Sequence, residues 1–155
     1  MKILVVNGSP RGADGNTQVL VDAFLTGACE AGAQADTVYL KDKKIEHCIG
    51  CFTCWTKTPG VCVHNDDMPE ILDMMREADI TVFATPLYVY TVTGLMKDFM
   101  DRMIPSVQPF VEIKNGLCTH PGRYPNTGNK QVVLISNSGF PEQTHFSALK
   151  ETFKR

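Results

Sequence analysis

Lys2-Ile3-Leu4-Val5-Val6-Asn7-Gly8-Ser9-Pro10-Arg11-Gly12-Ala13-Asp14-Gly15-Asn16-Thr17 follows the first methionine. Lys2 to Asn7 is a short apolar run halted by Gly8, the pattern of a buried parallel strand. Asn16-Thr17 then opens a helix to about Ala31, with Leu20, Phe24, Gly27 and Ala31 on one face. Between strand and helix, the glycines allow close backbone approach and unusual dihedrals. The helix N-terminus supplies unpaired N–H groups and a dipole that favours an anion. Ser9, Asn16 and Thr17 can donate hydrogen bonds to phosphate oxygens, and Arg11 can add charge.

Other phosphate-binding turns are tested by the letters of this segment. A nucleoside-triphosphate loop ends in Gly-Lys-Ser/Thr, and no lysine is present here. A dinucleotide fingerprint needs two glycines separated by one residue, and the spacings here are wider. A tyrosine phosphatase of low molecular weight would place its nucleophilic cysteine in this turn, which has none. A monophosphate site without phosphoryl chemistry remains, beside the plain alternative of a glycine-rich turn with a helix cap.

Ala35 to Leu40 reads as a second strand. A cysteine-rich loop punctuated by Gly and Pro runs from about Lys41 to Asn65. Asp66-Asp67 cap a helix with Pro69 in its first turn and Met68, Ile71, Leu72 and Met75 at helical spacing. Ile80 to Ala84 is a third strand. Thr93 to about Met103 is a helix whose Met96, Phe99, Met100 and Met103 stripe packs in a core. Pro105 to Lys130 is irregular and polar, with Pro121, Gly122, Pro125, Asn126, Gly128 and Asn129 as turn formers. Gln131 to Ser136 is a fourth strand, and Pro141 to Phe153 contains a fourth helix.

Strand and helix alternate, which implies a single α/β domain over 1–155, a doubly wound parallel sheet with helices on both faces. Ligands of such sheets bind beyond the C-terminal strand ends, where strand order reverses. The loops that matter are therefore Gly8–Asn16, Thr85–Thr93 and Asn137–Pro141. A fifth strand is expected and not found. Either the sequence is a shortened form of a longer protein, or another subunit covers the open edge.

Composition narrows the function. The net charge is −2 with no dense run of Lys and Arg, against nucleic-acid or anionic-membrane binding. No apolar window approaches the roughly 20 residues of a membrane span. The N-terminus enters a strand without a signal peptide's apolar core, which points to the cytoplasm. Six cysteines are many for this length, and in a reducing compartment a cluster of them more often marks a metal or redox site than disulfides.

Four of them form Cys48-x2-Cys51-x2-Cys54-x7-Cys62. Three closely spaced thiolates can wrap one corner of a cubane, and a fourth from a longer loop completes four-cysteine ligation. The bacterial ferredoxin run differs, because its fourth Cys follows more closely and precedes Pro; here Val63 follows Cys62. Zinc is an alternative, with His47 and His64 as flanking ligands. So are free or redox-active thiols. Cys29 and Cys118 stand alone and read as ordinary thiols.

Gly8-Ser9-Pro10-Arg11 with Gly15-Asn16-Thr17, then Thr85-Pro86-Leu87-Tyr88, then Thr93-Gly94-Leu95-Met96-Lys97-Asp98-Phe99-Met100-Asp101-Arg102 resemble the NAD(P)H-dependent FMN reductase superfamily. The cysteine segment ending in Asp66-Asp67-Met68 resembles its iron–sulfur flavoproteins. The resemblance runs from residue 1 to about 140. It implies a flavodoxin-like fold holding non-covalent flavin mononucleotide (FMN). Ser9, Arg11, Gly15, Asn16 and Thr17 would hold the phosphate. Pro86, Leu87 and Tyr88 would border the isoalloxazine ring with backbone N–H and C=O groups, and Asn137, Ser138 and Gly139 would face it from the other side. Tyr88 and Tyr90 have a plainer reading as loop aromatics packed on a helix or a subunit.

The resemblance further implies an oxidoreductase. Reduced nicotinamide, NAD(P)H, or a protein donor such as ferredoxin would reduce FMN. The flavin would pass electrons to a small acceptor, or to a 4Fe–4S cluster on Cys48, Cys51, Cys54 and Cys62. No side chain is needed as an obligatory acid or base. Two other readings are an electron carrier without turnover of its own and a cofactor-free interaction module. Loops alone cover a flavin poorly, so a homodimer or homotetramer is expected.

Overall fold

The computed structural model describes residues 1–125 and 130–154. Lys2–Asn7 forms β1, Gln34–Tyr39 β2, Ile80–Pro86 β3 and Gln131–Asn137 β6. They make one parallel sheet in the order β2-β1-β3-β6. The order reverses between β1 and β3, the flavodoxin-like switch point. Asn16–Glu30 (α1), Met68–Glu77 (α3), Gly94–Asp101 (α4) and Ser147–Thr152 (α5) cover the faces.

β1 shows why the central strands are apolar throughout. Leu4 and Val6 join Val38, Met68, Ile71, Phe83, Met96 and Phe99 on one face. Ile3 and Val5 join Val21, Val82 and Ala84 on the other. Both faces are sealed, so no alternating polar residue is tolerated in the middle of the strand. Met96 and Phe99 are fully buried, and Met100 and Met103 pack against them, so the Met/Phe stripe is core.

Several sequence expectations shift. In α1 the buried face carries Thr17, Val21, Leu25 and Ala28, whereas Leu20, Gly27 and Ala31 are exposed. The hydroxyl of Thr17 donates to Asn137 Oδ1 at 2.7 Å, which fixes the helix rotation from its first turn. β3 runs on to Pro86 because its last two residues pair with Ser136 and Asn137. The segment Pro105–Lys130 is not wholly irregular: Glu112–Lys114 (β4) and Leu117–Thr119 (β5) form a hairpin around Asn115-Gly116, both at positive φ. Such a pair is the usual two-residue hairpin turn. A short helix, Thr53–Thr56 (α2), interrupts the cysteine-rich loop. Asn126, Gly128 and Asn129 lie outside the described residues. Among the described residues the main sheet has no fifth strand, and no helix is long and apolar enough to cross a membrane.

The cysteine-rich loop is closed at its base by one buried ion pair. Arg102, which follows α4, donates from Nη1 to Asp66 Oδ2 at 2.7 Å and from Nη2 to Asp66 Oδ1 at 3.1 Å. Nη1 also reaches Glu46 O at 2.6 Å, and Glu46 N–H donates to Asp66 at 2.9 Å. The two expected caps of α3 divide their work. Asp66 accepts from Met68 N–H, but Asp67 turns its carboxylate to Lys44 N–H at 2.7 Å, tying the loop ends together.

Burial pushes the Asp66 carboxyl up, but hydrogen bonds from Arg102 and from the Glu46 and Met68 amides outweigh it and hold the group below its ordinary value. A carboxyl depressed in the folded state adds stability that is complete above roughly pH 5 and lost as pH falls through the folded value. Replacing Asp66→Asn leaves Arg102 buried without its counter-charge, a loss of about 3–5 kcal/mol at pH 7. Urea unfolding of wild type and variant between pH 7 and pH 3 checks this. The wild type should lose its advantage as pH falls, and parallel curves would contradict the assignment.

Candidate functional site

Three loops meet at the C-terminal ends of β1, β3 and β6. Gly8 N–H donates to Ala84 O at 2.8 Å, continuing β1 alongside β3. The Thr93 hydroxyl donates to Gly8 O at 2.7 Å and accepts from Met96 N–H at 3.2 Å, so one buried side chain caps α4 and holds the first loop. Leu87 N–H donates to Asn137 O at 2.8 Å, and Asn137 Oδ1 receives the Thr17 hydroxyl. The three sequence-picked segments are thus brought together.

Within the first loop the backbone is held from below. Asn7 Oδ1 accepts from Ser9 N–H at 2.8 Å, and Asn7 Nδ2 donates to Gln18 Oε1 at 2.9 Å. A Cβ on Gly15 would meet Ser9 Oγ at 2.7 Å, so this glycine is required for the closeness of the turn. Asn16 and Thr17 begin α1, and their N–H groups have no acceptor within the helix. The Arg11 side chain is exposed and has no hydrogen bond or ion pair among the described residues. Thr17 differs from its expected use, because its hydroxyl proton goes to Asn137. The donors offered to an anion are therefore the amides of Asn16 and Thr17 with Ser9 Oγ and Arg11. Sequence reading missed Asn7, Gln18 and Thr93. A polar Asn closing an apolar strand was the available signal.

Beside the cradle, Leu87, Val89, Tyr90, Ser138, Gly139, Phe140 and His145 line a cleft of about 250 Å³. Tyr88 and Thr91 pair through both backbone bonds at 3.0 Å, forcing Val89 and Tyr90 to φ of 46° and 65°. A β-branched residue at positive φ is a true outlier, and such strain gathers at functional sites. The amides of Leu87 and Tyr88 are spent on Asn137 O and Thr91 O, whereas those of Val89 and Tyr90 have no acceptor among the described residues. The N–H groups open to a ligand edge therefore lie one or two residues beyond the expected ones. Pro86 ends β3 against Asn137, and Ser138 Oγ accepts from Phe140 N–H. Tyr88 is exposed, while Tyr90 stacks on His145, whose other neighbour is Phe140. A polar cradle near a cleft of mixed polar and apolar lining, with backbone donors, suits a phosphorylated planar coenzyme.

The four clustered cysteines also converge. Cys48, Cys51, Cys54 and Cys62 line one cavity with Ile49, Phe52, Val63, His64 and Ile104. Cys54 is buried and its thiol is pushed up by burial and by the other three sulfurs; Cys51 is pulled down by hydrogen bonds from Thr53. Two buried nitrogens nearby have no hydrogen-bond partner among the described residues, Arg102 Nε and His64 Nε2. Among the described residues no three His, Cys, Asp or Glu side chains gather around one point suited to a single ion. His47 is engaged by Asp98 at 2.7 Å. Cubane ligands are spread over separate iron atoms, and soft thiolates with the orphaned N–H of Arg102 Nε suit them. The cavity itself is about 20 Å³, room for one water. Residues 47–52 beside it have no regular structure and carry exposed Cys48 and Cys51. Cys29 and Cys118 are exposed and apart from this group.

Residues 1–148 match the family model described as NADPH-dependent FMN reductase. An iron–sulfur flavoprotein of Archaeoglobus fulgidus is 41% identical over 68% of this chain and 46% of its own length. One of Methanosarcina thermophila is 31% identical over 86% of this chain and 69% of its own. The FMN complex of an FMN-dependent NADH-azoreductase from Bacillus anthracis aligns with a TM-score of 0.69 over 99% of this chain and 79% of that one. At 16% identity that likeness speaks for the fold. The chain spans about half the length of several of the iron–sulfur flavoproteins that it matches. With the reversed parallel sheet and the family match over nearly every residue, this chain belongs to the NADPH-dependent FMN reductase family.

Proposed function

We propose that the chain binds FMN across the C-terminal strand ends and serves as an NAD(P)H-dependent flavin oxidoreductase. The observation that carries this reading is the Gly15 turn, packed closely on Ser9 at the start of α1, where the N–H groups of Asn16 and Thr17 have no acceptor in the helix, at the same strand ends as the 250 Å³ cleft. Ser9, Arg11, Gly15, Asn16 and Thr17 hold the phosphate. Pro86, Leu87 and Tyr88 on one side and Asn137, Ser138 and Gly139 on the other border the ring. The amides of Val89 and Tyr90 are the donors for its polar edge. When bound, the flavin supplies exchange of two electrons at once or one at a time. The protein's part is to orient it, shield one face and leave the other open to a nicotinamide. The exposed edge of β6 and the exposed Tyr88 and Phe140 support a homodimer or homotetramer.

A 4Fe–4S cluster on Cys48, Cys51, Cys54 and Cys62 extends the path. Its support is that all four cysteines line one cavity, together with the names of the relatives. A chain with both groups can also accept electrons from a ferredoxin-like protein without turning over a substrate of its own.

Flavin-fluorescence titration tests the first claim. The wild type should saturate at one FMN per chain. Gly15→Val, which drives a side chain into Ser9, should weaken binding at least ~10-fold, equivalent to about 1.4 kcal/mol, with circular dichroism unchanged. Absence of saturable binding by the wild type would contradict the reading.

Chemical analysis after anaerobic purification tests the second. About four iron and four sulfide per chain are expected for a cubane, and Cys54→Ser should lose most of both. Wild-type protein free of iron and sulfide after reconstitution would exclude the cluster and leave the flavin claim standing.

A further inference from the structure

Arg102 is buried together with its ion-pair partner, at 1% side-chain exposure against 0% for Asp66. Its two terminal nitrogens are satisfied by Asp66 and Glu46 O. Among the described residues its Nε is buried and makes no hydrogen bond of normal geometry, an arrangement that folding ordinarily removes. The missing acceptor can be located. Arg102 and Cys62 line one cavity of about 200 Å³, together with Met68, Leu72 and Pro105. Cys62 also lines the separate cavity that holds Cys48, Cys51 and Cys54, and is common to both. Cys62 is therefore the wall between the cysteine group and the guanidinium.

We propose that Arg102 is a positioning residue for the iron–sulfur site, its Nε–H donating to the Cys62 sulfur when that cysteine ligates iron. The proposal rests on the cluster reading above and adds to it the residue that tunes the potential. Asp66 already neutralises the guanidinium, so the effect comes from one directed N–H and little from net charge. Hydrogen bonds to cluster sulfurs are among the determinants of potential. Reduction adds negative charge to the cluster and its thiolates, so a donor at Cys62 stabilises the reduced form and raises the potential. The same guanidinium grips Glu46 O and Asp66 at the two ends of the loop, so the base of the segment that carries the cysteines is fixed relative to the donor.

The test uses the full chain, purified anaerobically and reconstituted with ferrous iron and sulfide where needed. Arg102→Lys keeps the charge and a reach to Asp66 but puts a methylene where Nε stands. The Asp66→Asn/Arg102→Met double variant removes donor and counter-charge together and guards against misfolding of the single variant. Arg76→Lys is the control, because Arg76 lines the same cavity but pairs with Asp73. Iron and sulfide content, thermal unfolding and the midpoint potential from an EPR-monitored titration are measured for each. Arg102→Lys and the double variant should keep their iron and show a more negative midpoint, with Arg76→Lys at the wild-type value. Unchanged midpoints in iron-loaded Arg102→Lys or the double variant, or an equal shift in Arg76→Lys, would overturn the proposal while leaving the cluster in place. A wild type that takes up no iron and sulfide would remove the cluster reading, and this proposal with it.

Discussion

The site depends on the hydroxyl of Thr93. Buried at the end of the β3–α4 loop, it donates to the carbonyl of Gly8 and accepts from Met96 N–H. Its own amide reaches Thr85 Oγ1 at 3.3 Å. One side chain thus joins the turn after β1, the end of β3 and the start of α4 at the point where strand order reverses. The space around it is used up: a Cβ on Gly8 would meet Met96 Cβ at 2.8 Å and Thr93 Oγ1 at 3.2 Å. The first loop therefore takes its shape from packing below, and its unpaired amides are held in place before any ligand arrives. Preorganised donors of this kind bind an anion without the cost of ordering a loop.

α4 connects this site to the second group of functional side chains. Thr93 caps its N-terminus beside the proposed flavin cradle, and Arg102 follows its C-terminus beside Cys62. A helix of Gly94–Asp101 spans roughly 12 Å at 1.5 Å per residue. Its buried face, Met96 and Phe99, lies in the sheet core, so the helix is a rigid spacer. The cysteine-rich loop is tied to the far end of this spacer by the clamp at the loop base.

Much of this was legible in the letters because the central strands are sealed on both sides. A run such as Ile3 to Val6 can be read without ambiguity, and alternation with helices then fixes the parallel sheet. The first loop was legible for the same reason, since glycines and a helix start leave few structures open. What stayed hidden depends on contacts between distant residues. The rotation of α1 is set by Thr17 meeting Asn137, 120 positions away. The spent amides of Leu87 and Tyr88 follow from Asn137 and from a strained turn at Val89 and Tyr90, whose β-branched and aromatic side chains give no sign of positive φ. Arg102 stands in the sequence only as the last residue of the Thr93–Arg102 motif, with no sign of burial. Its burial follows from Asp66, which local spacing places only as a helix cap.

The central claim is that the turn after β1 receives the phosphate of FMN while the neighbouring loops enclose the ring. Amide chemical-shift mapping of isotope-labelled protein titrated with FMN tests it most directly. The account predicts saturating shifts at one equivalent for Asn16 and Thr17 together with Val89, Tyr90, Ser138 and Gly139. Absence of shifts at these amides, or shifts confined to the cavity between Val61 and Arg76, would contradict it.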